Sequence, residues 1–146
     1  MHINYLEKLN NLKKFDKSQR SSFSYWWNHW KAFNLTALML DEWRWKYLFH
    51  DIEKPWLRLI MPYKKLQSFH RRNNSHHIEY KGGYDNVDWM ALYIDWFCGR
   101  YTKYAAKPTV QKEAEYQISI KPYLKDIIEK YLKPYINYYA YEDSSY

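Results

Sequence analysis

The sequence predicts an all-α single domain, a bundle of about five to seven helices. Three observations carry that reading. Apolar residues recur at three- and four-residue spacing over several stretches, as they do in helices with one buried face. No run alternates apolar and polar residues between hairpin turns, as sheet strands would. Three Gly and five Pro in 146 residues exclude collagen-like, elastic and linker-dominated chains.

Residues 4–14 predict a short helix with Tyr5, Leu6, Leu9 and Leu12 on one side. Ser21 and Ser22 are candidate N-caps. From there to about Leu40 no Pro or Gly interrupts, and Trp26, Trp30, Phe33, Ala37 and Leu40 repeat at helical spacing. A second helix is expected over 41–54, with Asp41 and Glu42 complementing the dipole at its start and Pro55 ending or kinking it. Residues 62–80 read as helical, after a break at Pro62. The clearest helix is 85–105, capped by Asp85 or Asn86, with Val87, Met90, Ala91, Ile94 and Cys98 as its core stripe. Pro108-Thr109 opens a last helical region, Lys121-Pro122 interrupts it, and 122–133 resumes it. Gly82-Gly83 reads as a turn. One domain spans 1–146, with its core at about 22–105, C-terminal helices at 109–133 and a Tyr-rich tail at 134–146 that is either frayed or docked.

Hydrophobic residues at 47% and charged residues at 27% are a globular balance and argue against disorder. No apolar run approaches the ~18 residues of a membrane span, and the N-terminal stretch lacks the apolar h-region of a secretory signal. A single cysteine, Cys98, excludes a disulfide framework and a thiolate zinc site. Cys98 lies mid-stripe and reads as core rather than nucleophile. A reduced, cytoplasmic setting without a membrane partner is the expectation. The net charge of +7 suits an anionic partner. Aromatic residues, at 21%, suit semi-polar cores, pocket walls and base stacking. No Gly-x-Ser-x-Gly and no phosphate-cradling Gly-rich loop occurs.

The residues able to carry chemistry concentrate between 29 and 95. In LFHDIEKP, His50 and Asp51 offer an imidazole nitrogen and a carboxylate from neighbouring positions on the expected helix, enough to chelate one divalent ion or bridge two. His29, on the preceding helix, and Asp95, at the margin of the 85–105 stripe, can supply further ligands. Asp88, two turns earlier, is the rival to Asp95. In FHRRNNSHHIEY, His70 and His77 share a face if the helix is unbroken, with His76 pointing elsewhere. These histidines can hold a second metal or transfer a proton. Arg71 and Arg72 are candidates for phosphate. Each residue taken alone also has a structural reading: His29 as a packed ring among Trp26, Trp27 and Trp30, and Asp88 as a helix-start residue.

The ordered set His29, His50-Asp51, Asp95 resembles the HD superfamily of metal-dependent phosphohydrolases, whose pattern is an early His, a His-Asp doublet and a late Asp on an all-α core. The doublet is similar to the His-Asp-Ile-Gly-Lys stretch of the HD-GYP branch, with Glu53 in the Gly position. The Gly-Tyr-Pro signature is absent, since Asp85 follows Gly83-Tyr84. His-His-Ile-Glu-Tyr and Asp-Trp are similar to segments of small HD-like proteins of bacteria and phages. The resemblance covers roughly residues 25–100. It implies one or two divalent metal ions, of Mn, Mg, Fe, Co, Ni or Zn type. It implies Asp51 as a ligand central to the chemistry and Lys54 beside the substrate phosphate. His70 and His76 or His77 are implied at a second ion, with His77 as an acid–base group. The expected partner is a small phosphorylated substrate such as a nucleotide. Two other function classes fit the composition: a nucleic-acid-binding module using the dispersed Lys, Arg and aromatic residues, and a catalytically inactive HD-like scaffold that binds a protein.

Overall fold

The structure, a computed structural model, describes residues 4–144. His2 therefore lies outside the described residues. Nine α-helices form a bundle among them: α1 Tyr5–Asn10, α2 Phe23–Met39, α3 Glu53–Leu57, α4 Tyr63–Asn73, α5 Trp89–Cys98, α6 Val110–Ile120, α7 Leu124–Tyr131, α8 Lys133–Tyr138 and α9 Ala140–Ser144. No strand occurs among the described residues; one isolated bridge joins Phe15 to Lys103. The number exceeds five to seven because the doublet segment and the tail each carry short helices.

Helix α5 is central. Leu92, Tyr93, Ile94 and Phe97 are fully buried, as is Cys98. A helix apolar on all sides must be covered on all sides. Helix α2 packs on it with Phe33 and Ala37 in the shared core, α6 and α8 pack on it as well, and Ile128, Leu132 and Ile136 belong to the same core. Side-chain caps start the principal helices. Ser22 Oγ accepts from the Tyr25 amide at 3.1 Å, and Thr109 Oγ1 from Lys112 at 3.0 Å.

Three helix boundaries differ from the sequence reading, each for a local reason. The helix expected over 41–54 does not form. Asp41 and Glu42 instead close α2 in a Schellman motif. Asp41 is left-handed at φ 57°, its N–H reaches Leu38 O at 3.1 Å, and Glu42 N–H reaches Ala37 O at 2.8 Å. A 3₁₀ turn, Trp45–Phe49, follows, so the His50-Asp51 doublet sits on a turn, not a helix. Pro55 neither ends nor kinks a helix. It lies in the first turn of α3, where its missing N–H has no acceptor to lose.

The segment 62–80 is helical only to Asn73. Asn74 is extended (φ −115°, ψ 128°), so His70 and His77 do not share a helical face. The 85–105 helix is shorter, bounded by α5 and a 3₁₀ turn at Gly99–Tyr101. Its cap is Asp88, whose Oδ1 accepts from the Ala91 amide at 3.1 Å, rather than Asp85 or Asn86.

The tail is docked through its described residues. The buried Asp143 carboxylate pairs with the Arg100 guanidinium and accepts the Val110 amide at 3.0 Å, holding α9 against the 3₁₀ turn that follows α5 and the start of α6. Tyr139 donates its hydroxyl to Glu42 at 2.6 Å. No helix among the described residues is long and apolar enough to cross a membrane.

Candidate metal centre

The doublet turn is fastened to α2 by three side chains spaced one helical turn apart. Trp26 donates its indole N–H to Asp51 O at 2.8 Å, and Trp30 to Leu48 O at 2.9 Å. Asn34 donates to Tyr47 O at 3.1 Å. A spacing of four residues puts all three on one face of α2, directly against the turn. Asp51 takes a left-handed backbone, φ 55°. Asp is among the few non-glycine residues that tolerate this region. Phe33 stacks on the His50 imidazole with centroids 3.7 Å apart.

Four overlapping groups of candidate ligands occur among the described residues: His29, His50 and Asp51; Asp51, His70, His76 and His77; His29, Asp95 and Cys98; and His50, His76 and Asp95. Asp51 joins a first cluster around His29, His50 and Asp95 to a second around His70, His76 and His77. In the first, His29 Nε2 lies 2.9 Å from Asp95 Oδ1 and 3.2 Å from His50 Nε2. His50 Nε2 is 3.5 Å from both Asp95 Oδ1 and Asp51 Oδ2. His29 Nε2 to Asp51 Oδ2 is 3.8 Å. In the second, Asp51 Oδ1 lies 2.9 Å from His70 Nε2 and 3.0 Å from His76 Nε2, with His77 alongside. His29 comes from α2, the doublet from its turn, His70 from α4, His76 and His77 from the turn after α4, and Asp95 from α5.

The second group tests whether an ion fits. Asp51 Oδ1 and the Nε2 atoms of His70, His76 and His77 are all buried, and none has a hydrogen-bond partner. Their close approaches lack hydrogen-bond geometry. Four lone-pair donors facing one another in a water-poor space are costly unless something accepts from all of them. A divalent cation does so, and imidazole with carboxylate suits Mn, Fe, Co, Ni or Zn. The cluster thus has the residue types and convergence to hold a metal ion.

The electrostatics of His50, His77, Asp51 and Asp95 point the same way. Burial pushes the His50 pKa down to about 4 and holds His77 well below its ordinary value, so both rings stay neutral with a free lone pair near pH 7. Burial alone would raise Asp51 and Asp95. Neighbouring imidazoles, with Lys54 at Asp51, overcome it, and both carboxyls are held well below the usual range. Burial alone would lower His70. Its contacts with Asp51 and Glu53 raise it instead. Lys54 Nζ is 3.0 Å from Asp51 Oδ2, and that carboxylate raises its pKa against the opposing effect of burial.

Glu53 is a site residue that sequence reasoning missed. Its carboxylate holds His70 Nδ1 and also accepts Asn74 Nδ2 at 3.0 Å. Taking the Nδ1 proton leaves Nε2 as the lone-pair atom turned toward Asp51. Glu53 and His70 lie on different helices, so no periodicity relates them. The only visible signal was Glu in the Gly position of the doublet stretch.

His29, His50, Asp51 and Asp95 converge as the sequence suggested, and His70, His76 and His77 gather beside them. His76, expected to point elsewhere, is directed at Asp51 because α4 ends before it. Asp88 is removed from the cluster: it caps α5 and pairs with Lys46 at 2.6 Å. Cys98 is buried, as expected, and its thiol donates to Asp95 O at 3.3 Å. Burial raises its pKa well above the ordinary value, which opposes a nucleophilic role. Arg71 and Arg72 are exposed on α4 and do not line the cavity over the cluster. That cavity, about 290 Å³, reaches His29, Asp51 and Lys54. Arg20 and Arg58, not singled out from the sequence, form part of its wall.

Comparisons with known proteins return no match: no family model, curated protein or solved structure matches the chain.

Proposed function

We propose that this chain is a divalent-metal-dependent phosphohydrolase of the HD type, acting on a nucleotide or related phosphoester. The observation that carries the reading is the Asp51 carboxylate. One oxygen faces His29 and His50, the other faces His70 and His76, and Asp51 lines a cavity. One carboxylate shared between two imidazole-rich groups is the arrangement of a two-ion site. The order of these residues along the chain supports the HD likeness.

Each residue has a role in this reading. His29, His50 and Asp95 complete the first ligand group, and His70, His76 and His77 the second. The unpartnered Nε2 of His77 supports a ligand role over an acid–base role. Two divalent ions held there would supply Lewis acidity and offset phosphoryl charge. Lys54, between Asp51 and the cavity, binds a phosphoryl oxygen. Trp26 fixes Asp51 from behind through its carbonyl. The low accessibility of the cluster excludes bulk water and strengthens each of these interactions.

The test is metal analysis of the purified protein together with a phosphatase screen over nucleotides and simple phosphomonoesters, with Asp51→Ala as control. Hydrolysis that needs added divalent metal and disappears in Asp51→Ala supports the reading. Bound metal without turnover favours the inactive scaffold. Salt-sensitive binding of single-stranded oligonucleotides without metal or turnover favours the nucleic-acid module.

A further inference from the structure

The cavity above the cluster carries more cationic charge than its own acids neutralise. Arg20, Lys54 and Arg58 line it, and Asp51 is its only acidic residue. The Asp51 carboxylate is already paired with Lys54, 3.0 Å away. Arg20 and Arg58 make no ion pair with any described residue, and the buried Nε of Arg20 has no hydrogen-bond partner. A guanidinium nitrogen withdrawn from water and left unpaired is costly without an anion to receive its N–H. The remaining wall is largely aromatic. Phe23 and Trp26 lie with ring centroids 5.3 Å apart, and Tyr63 contributes to the same wall. The Trp26 ring is held in place by its bond to Asp51 O, so it is a preformed surface.

We infer that this cavity is a binding site for a phosphomonoester with one planar ring, the phosphoryl group held by Arg20 and Arg58 and the ring packed on Phe23, Trp26 and Tyr63. The assignment of this ligand as substrate rests on the hydrolase reading above. Guanidinium groups present paired N–H donors that match phosphate geometry, which a point charge such as Lys54 does not. The cavity volume, about 290 Å³, lies at the lower end of the range for small-molecule sites. It suits one ring and one phosphoryl group, and it is too small for a dinucleotide. The second basic groove, lined by Lys65, Arg72 and Lys81, reaches none of the ligand residues and serves as an internal contrast.

The experiment is isothermal titration of the full chain with inorganic phosphate, uridine 5′-monophosphate and ribose 5-phosphate, with metal content measured on the same samples. The variants are Arg20→Met, Arg58→Met, Phe23→Ala and Arg72→Met. Arg58 and Phe23 are exposed, so their variants test the site without disturbing the core. Arg20→Met and Arg58→Met are each expected to weaken phosphate and the nucleotide at least tenfold, with metal content unchanged. Phe23→Ala is expected to weaken the nucleotide several-fold and leave phosphate unaffected. Arg72→Met is expected to change neither. The inference is overturned if the wild type binds none of the three at millimolar concentration. It is equally overturned if the Arg20 and Arg58 variants bind like wild type, or if ribose 5-phosphate binds as tightly as the nucleotide. Metal bound at the Asp51 cluster alongside Arg20-independent anion binding overturns this inference and leaves the hydrolase reading intact. Arg20-dependent nucleotide binding in a chain that takes up no metal supports the pocket and refutes the hydrolase reading.

Discussion

Replacing Asp51 with Asn probes the centre with the least change in shape. Asn keeps one oxygen but turns the other position into an NH₂ donor, which cannot face His70 and His76 as a ligand and carries no charge. With two ions bound to the wild type, each at a hundredfold excess over its Kd, the folded state would gain about 2.7 kcal/mol per ion, about 5 kcal/mol in all. For a chain near 150 residues, 1 kcal/mol moves Tm by roughly 2–4 °C, which gives a metal-induced rise of about 10–20 °C. Asp51→Asn should reduce that rise to a few degrees and lower the bound metal from two equivalents to one or none. Without metal the variant also leaves Lys54, 3.0 Å away, without its carboxylate. That loss costs a few kcal/mol, toward the low end of the buried-pair range because Lys54 keeps some solvent contact. Elemental analysis after dialysis gives the stoichiometry, and calorimetric melts with and without Mn²⁺ give the shift. Circular dichroism at the same temperature checks the helices. Two equivalents of metal and an undiminished Tm rise in Asp51→Asn would refute the shared-carboxylate reasoning.

Other consequences are open to measurement. The metal-free protein should lose stability as pH falls from about 6.5 to 4. The unfolded chain protonates His50 near its ordinary value, whereas the folded chain resists until about 4. Over that window the difference amounts to about 3 kcal/mol. His77 acts in the same direction, while the raised His70 contributes fully throughout the window and does not cancel the slope. Urea titrations at several pH values that show a flat profile would contradict this. Glu53→Gln should weaken the second ion about 10–100-fold, as removal of a carboxylate behind a ligand histidine does, and leave the first ion bound. Competition with a chelating dye measures both affinities, and equal losses at both sites would count against the assignment. Asp143→Ala should destabilise the fold by up to about 3–5 kcal/mol, because the buried ion pair between Asp143 and the Arg100 guanidinium is broken. Denaturant midpoints report it, and a change below about 1 kcal/mol would show that the tail is not held by this pair.

The helices were legible where periodicity and caps agreed. Phe23–Met39 follows from its apolar repeat and from Ser22, and the interruption at Lys121-Pro122 lies where Pro demands it. The doublet segment was misread as helix. Asp41-Glu42 has the composition of a helix start, yet it forms the left-handed end of the helix before it. Composition near a terminus does not reveal which helix the residues serve. The His70–His77 pairing failed similarly, since seven-residue spacing has meaning only while the helix continues.

The sequence alone determined the helical class, the buried stripe of α5 and the identity of the ligand candidates, because these depend on residue type and short-range spacing. Tertiary structure decided Asp95 over Asp88, turned His76 inward, placed Glu53 behind His70, and put Arg20 and Arg58, not Arg71 and Arg72, on the wall of the cavity. Each of these depends on where separate helices cross and on how a turn such as 74–77 redirects the chain. That geometry is set by packing of the whole bundle, and no local pattern encodes it.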